Sequence, residues 1–300
     1  MVQTRRVSRR RFLVGTLAGV SQAFVLSRAF AAESKPLDPN RVALLSDTHI
    51  AGDRTLQAHG INMADHLTQV VNEILECDPL PASAFICGDC AFREGQEKDY
   101  VTLAQILKPL QKAGIHVYAV PGNHDHREHF RHVFENEFPD PLPVENRLVK
   151  IVEGTHANWF LLDSLDKVNK TPGLLGEKQR AWLEQALNRH SDKPALVMCH
   201  HNPDPRPKSS GLIDTLELQK LLQEHSHVKT WLFGHSHVFG FLPIGHVLLL
   251  NLPATAYVFS KTQPSAWTDA RLRADGLSLT LRCLDKKHPL HNKHFELDWK

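Results

Sequence analysis

Five short clusters of aspartate, asparagine and histidine have the residue types and spacing to do chemistry in this 300-residue chain. They are Asp47 with His49, then Asp89, then Asn123-His124-Asp125, then His200, and finally His235 with His237. Carboxylate, amide and imidazole groups suit first-row divalent metals, and none of the clusters requires a thiolate. Because grouped carboxylates repel one another and are costly to bury, their convergence would favour bound cations.

The number of candidate ligands favours two metal ions over one. Two cations about 3.5–4 Å apart that share a bridging carboxylate can hold a phosphoryl group and generate hydroxide near neutral pH. A histidine that is held by a neighbouring carboxylate, as His124 and Asp125 suggest, is a suitable proton donor. The clusters therefore predict metal-assisted chemistry on a phosphate ester.

The elements that must position these clusters are β-strands, because each cluster follows an apolar run. The runs predict strands at 41–47, 84–87, 116–120, 195–199 and 228–233. Ligands in open α/β sheets bind beyond the carboxyl ends of the strands. We therefore expect one pocket to gather clusters that lie nearly two hundred residues apart in the sequence.

Helices and further strands complete the predicted architecture. Helical spacing covers 63–77, 100–113, 177–190 and 214–223, and Pro109 should kink the second helix or end its first half. Further strands are predicted at 148–152, 159–163, 239–244, 247–251, 255–259, 268–273 and 277–284. Alternating βα units followed by C-terminal β-hairpins indicate mixed sheets flanked by helices.

The order of the motifs resembles the calcineurin-like metallophosphoesterase superfamily over about residues 42–258. The motifs are Asp-x-His, Gly-Asp, Gly-Asn-His-Asp, a single His and Gly-His-x-His. The resemblance implies an α/β fold, a four-layer α/β/β/α sandwich of two mixed sheets flanked by helices. Within the superfamily the chain looks most like the bacterial cyclic-nucleotide phosphodiesterase-like enzymes.

The resemblance also implies a role for each cluster. The first metal would take Asp47, His49 and His237, and the second would take Asn123, His200 and His235. Asp89 would bridge the two ions. His124 would face the leaving-group or phosphoryl oxygen as an acid or charge stabiliser, with Asp125 orienting its ring. The implied reaction is hydrolysis of a phosphate ester by a metal-bridging hydroxide, with a phosphodiester favoured over a monoester.

Two departures from the purple acid phosphatases bear on the choice of metal. His49 stands where those enzymes lack a histidine, and Phe92 stands where they carry a metal-binding tyrosine. Both favour two colourless divalent ions of Mn, Fe or Zn type. In the His200-His201 pair, the first residue after the strand fits the family pattern, so His200 is the expected ligand and His201 is expected to support a ligand or face the phosphate. His201 as the ligand stays the alternative.

The N-terminus is typical of an export signal. Residues 1–31 combine paired arginines before Phe12-Leu13, a short apolar stretch and a small-residue exit, which resembles the twin-arginine type. We expect residues 32–40 to be a leader and 41–300 a single domain. The export machinery would then be a partner, the protein would be periplasmic or extracellular, and no stable membrane span would remain after cleavage. A nucleic-acid arm or an uncleaved anchor is the alternative.

Charge argues against a nucleic-acid partner. Six of the 35 basic residues lie in residues 1–31, so the rest of the chain has 29 basic and 33 acidic residues, a net charge of −4. The resemblance implies a small-molecule phosphate ester as the substrate, and loops at 51–59, 126–144 and 203–211 would select it. A phosphomonoesterase and a non-hydrolytic exported metal-binding protein stay open as alternatives, as does the oligomeric state.

Overall fold

The computed structural model describes residues 35–206 and 208–300, together with their side chains except that of Asn136. The expected export signal therefore lies outside the described residues. The strands are β1 Leu37–Leu45, β2 Gln57–Ala58, β3 Ile61–Asn62, β4 Leu80–Cys87, β5 His116–Val120, β6 Lys150–Glu153, β7 Asn158–Leu161, β8 Ala195–Met198, β9 Val228–Phe233, β10 Gly240–Ile244, β11 Val247–Asn251, β12 Ala266–Arg273, β13 Gly276–Cys283 and β14 His294–Asp298. The helices are α1 Met63–Glu76, α2 Glu97–Lys112, α3 Arg127–Val133, α4 Glu177–Arg189 and α5 Thr215–Glu224, with a 3-10 turn at Glu135–Glu137.

Two six-stranded mixed sheets form the centre of the fold. The strand order of the first sheet is β14-β13-β12-β1-β4-β5, and that of the second is β10-β11-β9-β8-β7-β6. In the first sheet β1, β4 and β5 run parallel, while β12, β13 and β14 are antiparallel to their neighbours. In the second sheet β7, β8, β9 and β11 run parallel, and β6 and β10 are the antiparallel edges.

Three apolar cores separate four layers. One core lies between the first sheet and α1 and α2, a second between the two sheets, and a third between the second sheet and α4 and α5. Strand β1 ends in five consecutive buried residues because it is covered on both faces, as is usual for central parallel strands. The expected α/β fold of mixed sheets flanked by helices is confirmed.

Helix α1 shows how the sequence specifies these elements. Its buried residues recur at helical spacing, and the side chain of Asn62 caps the first turn by accepting a hydrogen bond from the backbone N–H of Asp65. Helix α2 continues through Pro109 to Lys112, so the proline does not end it. Among the described residues, no helix combines the length and the apolar character that crossing a bilayer requires.

Several local expectations are corrected. Strand β1 begins at Leu37, inside the expected leader, because Leu37 and Asp38 pair with the start of β4. The predicted strand at 255–259 is irregular, since the backbone N–H groups of Thr255 and Ala256 donate to the loop after β1. The sequence analysis missed the short hairpin of β2 and β3, helix α3 and the edge strand β14.

Candidate metal centre

The five clusters lie at the carboxyl ends of parallel strands in both sheets. Asp47 and His49 follow β1, Asp89 follows β4, and Asn123 follows β5 in the first sheet. His200 follows β8, and His235 with His237 follows β9, in the second sheet. Because the two sheets pack face to face, the loops from both meet at one end of the sandwich.

Five of these residues adopt a left-handed backbone conformation, which is uncommon outside glycine. The φ angles are 52° at Asp47, 47° at His49, 47° at Asp89, 65° at His235 and 55° at His237. Strained conformations of this kind cluster at functional sites, where the surrounding structure holds them in place. The chain turns sharply after each strand, and these turns direct the side chains toward one another.

The side chains form three overlapping groups whose ligand atoms lie within 4.8 Å of one another. The groups are Asp47 with His49 and His237, His49 with Asp89 and His124, and Asp89 with His200 and His235. Asp47 belongs only to the first group, whereas Asp89 belongs to both of the others. Asp89 thus has the central place that a bridging carboxylate would need.

Backbone carbonyls fix the tautomers of two of the histidines. Nδ1 of His200 donates to the carbonyl of Cys87 at 2.8 Å, and Nδ1 of His237 donates to the carbonyl of Tyr257 at 2.6 Å. The other nitrogen, Nε2, then lies 3.3 Å from a carboxylate oxygen, of Asp89 for His200 and of Asp47 for His237. A lone pair facing a carboxylate is repulsive unless a proton or a cation lies between them.

Buried atoms without hydrogen bonds mark the same place. Within the described part of the chain, Oδ1 of Asp47, Oδ1 of Asn123 and Nε2 of His200 are buried and have no hydrogen-bond partner. Buried polar atoms are rarely left unsatisfied in folded proteins. All three are atoms that coordinate divalent metals, so the donor set fits such ions.

The electrostatics of the cluster favour positive charge at its centre. Burial lowers the pKa of His200, but Asp89 and Asp47 outweigh it and raise that pKa to about 9. The pKa of Asp89 is well below its ordinary value, because the neighbouring histidines, with His200 foremost, outweigh the opposing effect of its burial. By contrast, burial lowers the pKa of His49 to about 3 and that of His235 to about 4. Neutral imidazoles are the form in which histidine binds metals.

Two glycines permit the close approach of these groups. A Cβ on Gly122 would lie 2.3 Å from Oδ1 of Asp89, and one on Gly234 would lie 2.6 Å from Oδ2 of Asp47. Any larger residue at either position would displace a carboxylate. The glycines of the Gly-Asn-His-Asp and Gly-His-x-His motifs therefore serve packing around the ligand carboxylates.

His124 and Asp125 do not form the pair that the sequence suggested. Nδ1 of His124 lies 3.0 Å from the carbonyl of Arg93, which orients the ring. The carboxylate of Asp125 instead accepts bonds from the backbone N–H groups of Gly122, Cys90 and Ala91 and from the hydroxyl of Tyr100. The expectation that Asp125 orients the ring of His124 is therefore corrected, because all its bonds hold the loop after β5.

His201 lies beside the candidate ligands and outside their three groups. Its ring is buried 4.8 Å from that of His235, and its Nδ1 lies 2.8 Å from Oγ of Ser164. His200, in contrast, contacts Asp89 directly.

Asp163 also lies outside the cluster, since its carboxylate binds the guanidinium of Arg127 and backbone N–H groups.

The sequence analysis missed three residues beside the cluster. The ring of Tyr257 stacks on His49 with a centroid distance of 5.0 Å, and the ring of His59 packs against Tyr257 at 4.5 Å with a tilt of 41°. Arg93 lines a pocket together with His59 and Tyr257. Tyr257 lies in the segment misread as a strand and His59 at the tip of the missed hairpin, so no local pattern pointed to either.

Comparisons with known proteins agree with this geometry. The chain is 28% identical over 201 residues to the probable glycerophosphodiester phosphodiesterase GpdQ of Arcobacter nitrofigilis, covering 65% of this chain and 71% of that protein. It is 25% identical over 245 residues to the 3',5'-cyclic adenosine monophosphate phosphodiesterase CpdA of Haemophilus influenzae, covering 77% and 85% respectively. Among solved structures, a dimetal phosphatase from Danio rerio shares the fold, with a TM-score of 0.67 and 14% identity over 88% of this chain and 100% of that chain.

The family assignment rests on the segment that carries all five clusters. Residues 40–239 match the family described as Calcineurin-like phosphoesterase. That segment runs from β1 to the loop after β9, and so includes every expected metal ligand. The chain therefore belongs to the calcineurin-like phosphoesterase family and is a hydrolase that acts on phosphate esters.

Proposed function

We propose that the protein is a dinuclear metal-dependent phosphodiesterase. The observation that carries the proposal is the place of Asp89, whose Oδ2 lies 3.3 Å from Nε2 of His200 and 3.8 Å from Nε2 of His49, each an expected ligand of a different ion. A carboxylate shared in this way suits a site for two ions rather than one. The names of the two relatives, both phosphodiesterases, support a diester over a monoester.

The residues divide into two ligand sets around Asp89. Asp47, His49 and His237 would hold one divalent ion, and Asn123, His200 and His235 would hold the other. Ions of Mn, Fe or Zn type suit this mixture of imidazole and oxygen donors. When bound, such ions supply Lewis acidity and lower the pKa of water toward neutrality.

The chain itself contributes positioning and a proton. Since Nδ1 of His124 is engaged by the carbonyl of Arg93, Nε2 is the nitrogen left for the substrate. When the ring of His124 is protonated, Nε2 can donate its proton to the leaving oxygen. In the overall step a P–O bond to hydroxyl forms, the P–O bond to the alcohol breaks, and the departing alkoxide takes a proton. Water and a diester thus yield a monoester and an alcohol.

Metal analysis followed by assays on one preparation tests the proposal. The purified protein should bind about two Mn²⁺ per chain and should hydrolyse an aryl phosphodiester faster than the matching monoester. Asp89→Asn should lose metal and activity together, whereas Asp285→Asn, which changes an exposed carboxylate, should lose neither. Metal binding without turnover would favour the non-hydrolytic alternative, and faster monoester turnover would favour a phosphomonoesterase.

A further inference from the structure

A pocket of about 310 Å³ opens beside His49 and His124. Besides these two histidines, three segments form its walls. They are the hairpin residues Gln57, Ala58 and His59, the pair Phe92 and Arg93 after β4, and Tyr257. The volume lies at the small end of the range for ligand sites, so the pocket suits one compact group.

One wall of the pocket is a stack of flat rings. The ring of Tyr257 contacts those of His59 and His49, with centroid distances of 4.5 Å and 5.0 Å and interplanar angles of 41° and 20° respectively. The hairpin that carries His59 closes through a two-residue turn, in which His59 has φ 53° and Gly60 has φ 76°. Two-residue turns with positive φ at both central residues match the twist of a hairpin. The hairpin thus brings His59 against Tyr257, and the wall presents ring faces and edges to an occupant.

The lining of the pocket also includes a cation, the guanidinium of Arg93. Among the described residues, no carboxylate lies within 4.0 Å of the guanidinium of Arg93, which instead lies near the ring of Phe92 at 5.2 Å. The neighbouring Glu94 accepts from the side chain of Asn169. The backbone carbonyl of Arg93 holds His124, so the cation and the expected proton donor are fixed by the same residue.

We propose that this pocket is the leaving-group subsite of the enzyme, and that Arg93 with the ring stack selects a planar leaving group that carries no positive charge. The inference rests on the proposed function, because His124 identifies the side on which the alcohol departs. Because His124 lines the pocket, a group bonded to the oxygen that His124 protonates lies beside it and can extend into it. There a flat ring can pack against the exposed ring of His59 and the edge of Tyr257, whereas a quaternary ammonium group meets the positive charge of Arg93.

Methyl benzyl phosphate tests which alcohol occupies the pocket. Methanol and benzyl alcohol are of similar acidity, so they are leaving groups of similar intrinsic reactivity. The alcohol that is released is then determined by how the diester binds in the site. The Mn²⁺-loaded protein should release benzyl alcohol and leave methyl phosphate. Release of methanol with benzyl phosphate would place the ring on the other side of the phosphorus and overturn the inference. Absence of any turnover, on this and on aryl diesters, would instead contradict the proposed function.

Two matched pairs of methyl phosphodiesters test selection by shape and by charge. The benzyl ester should be preferred over the cyclohexylmethyl ester by about two- to tenfold in kcat/KM, and His59→Ala should reduce that preference. The preference for the 3,3-dimethylbutyl ester over the choline ester, its cationic isostere, should be about two- to fivefold greater in the unaltered protein than in Arg93→Gln, a comparison in which the greater acidity of choline cancels. Added salt should weaken the preference against the choline ester, because salt screens the charge of Arg93. It should leave the preference for the benzyl ester unchanged.

Variants of Arg93 separate charge from structure. Arg93→Gln keeps the carbonyl that holds His124 and should remove the discrimination against choline, whereas Arg93→Lys should retain it. Arg271→Gln removes an exposed arginine of β12 outside the pocket and should leave the ratio as in the unaltered protein. Turnover of both esters with an unchanged ratio in Arg93→Gln would refute the role of Arg93 while leaving the phosphodiesterase assignment intact.

Discussion

The ring of Tyr257 lies nearly parallel to that of His49, with centroids 5.0 Å apart and planes 20° apart. The carbonyl of the same residue accepts a bond from Nδ1 of His237 at 2.6 Å. His49 and His237 are both expected ligands of one ion, so a single residue holds one by its ring and the other by its backbone. Groups that orient metal-binding histidines in this way affect metal affinity strongly.

Removal of the Tyr257 ring should therefore weaken metal binding. We expect Tyr257→Leu to lower Mn²⁺ affinity by about 10- to 100-fold, since His49 loses the surface that orients it. Tyr257→Phe keeps the ring and the carbonyl and should bind Mn²⁺ nearly as the unaltered protein does. Calorimetric titration of the metal-free proteins measures both. Equal affinities for the leucine and phenylalanine variants would show that the stack has no such effect.

Replacement of His124 should separate catalysis from metal binding. His124→Ala should retain bound metal and lose about 10²- to 10⁴-fold in kcat on esters of poor leaving groups, because these need a proton on departure. The loss should be smaller for 4-nitrophenyl esters, whose alcohol leaves as a stable anion. Metal content and kcat across a series of leaving groups check this. A uniform loss along the series would indicate a role in charge stabilisation rather than in proton transfer.

Asp125 should prove important for stability. Its four hydrogen-bond partners all donate, so the amide of Asp125→Asn would place an N–H₂ group against some of them. We expect that change to lower the free energy of unfolding by about 3 kcal/mol, as measured in urea. Tyr100→Phe removes one donor to the carboxylate and should cost less. A destabilisation by Asp125→Asn no larger than that of Tyr100→Phe would contradict this assignment.

The proposed export signal gives a cellular prediction. Arg9→Lys together with Arg10→Lys should leave the protein in the cytoplasm, since twin-arginine signals are read as an address rather than through charge alone. Fractionation of cells that express the two forms checks the outcome, with Arg5→Lys plus Arg6→Lys as the control that leaves the pair before Phe12 intact. Export of the double variant at the normal level would show that the paired arginines are not the signal.

Much of the site followed from local sequence because the signals there are strong. Each cluster stands directly after an apolar run, and the chemistry of Asp, Asn and His limits what such a cluster can do. The strands at 116–120 and 228–233 were placed without error for this reason. The fold class followed as well, since alternating βα units and terminal hairpins permit few arrangements.

The parts that the sequence did not reveal depend on contacts between distant segments. Asp125 stands beside His124 in the chain, yet its bonds run to Cys90, Ala91 and Tyr100. The segment 255–259 has the composition of a strand, but its backbone groups bind the loop after β1. The hairpin of β2 and β3 is too short to leave a pattern. Strand β14 is different, because its alternating apolar and polar residues are a readable strand signal.

The left-handed backbone at five ligand positions restricts how the site can change. Asparagine, aspartate, histidine and glycine are the residues that adopt this conformation most readily. The residue types in these motifs therefore reflect the backbone shape of the loops as well as metal binding. A relative that had lost its activity could keep the same residues because its loops need them in order to fold. Mutagenesis of Asp47 or Asp89 is accordingly cleanest with asparagine, which removes a negative charge and suits the same turn.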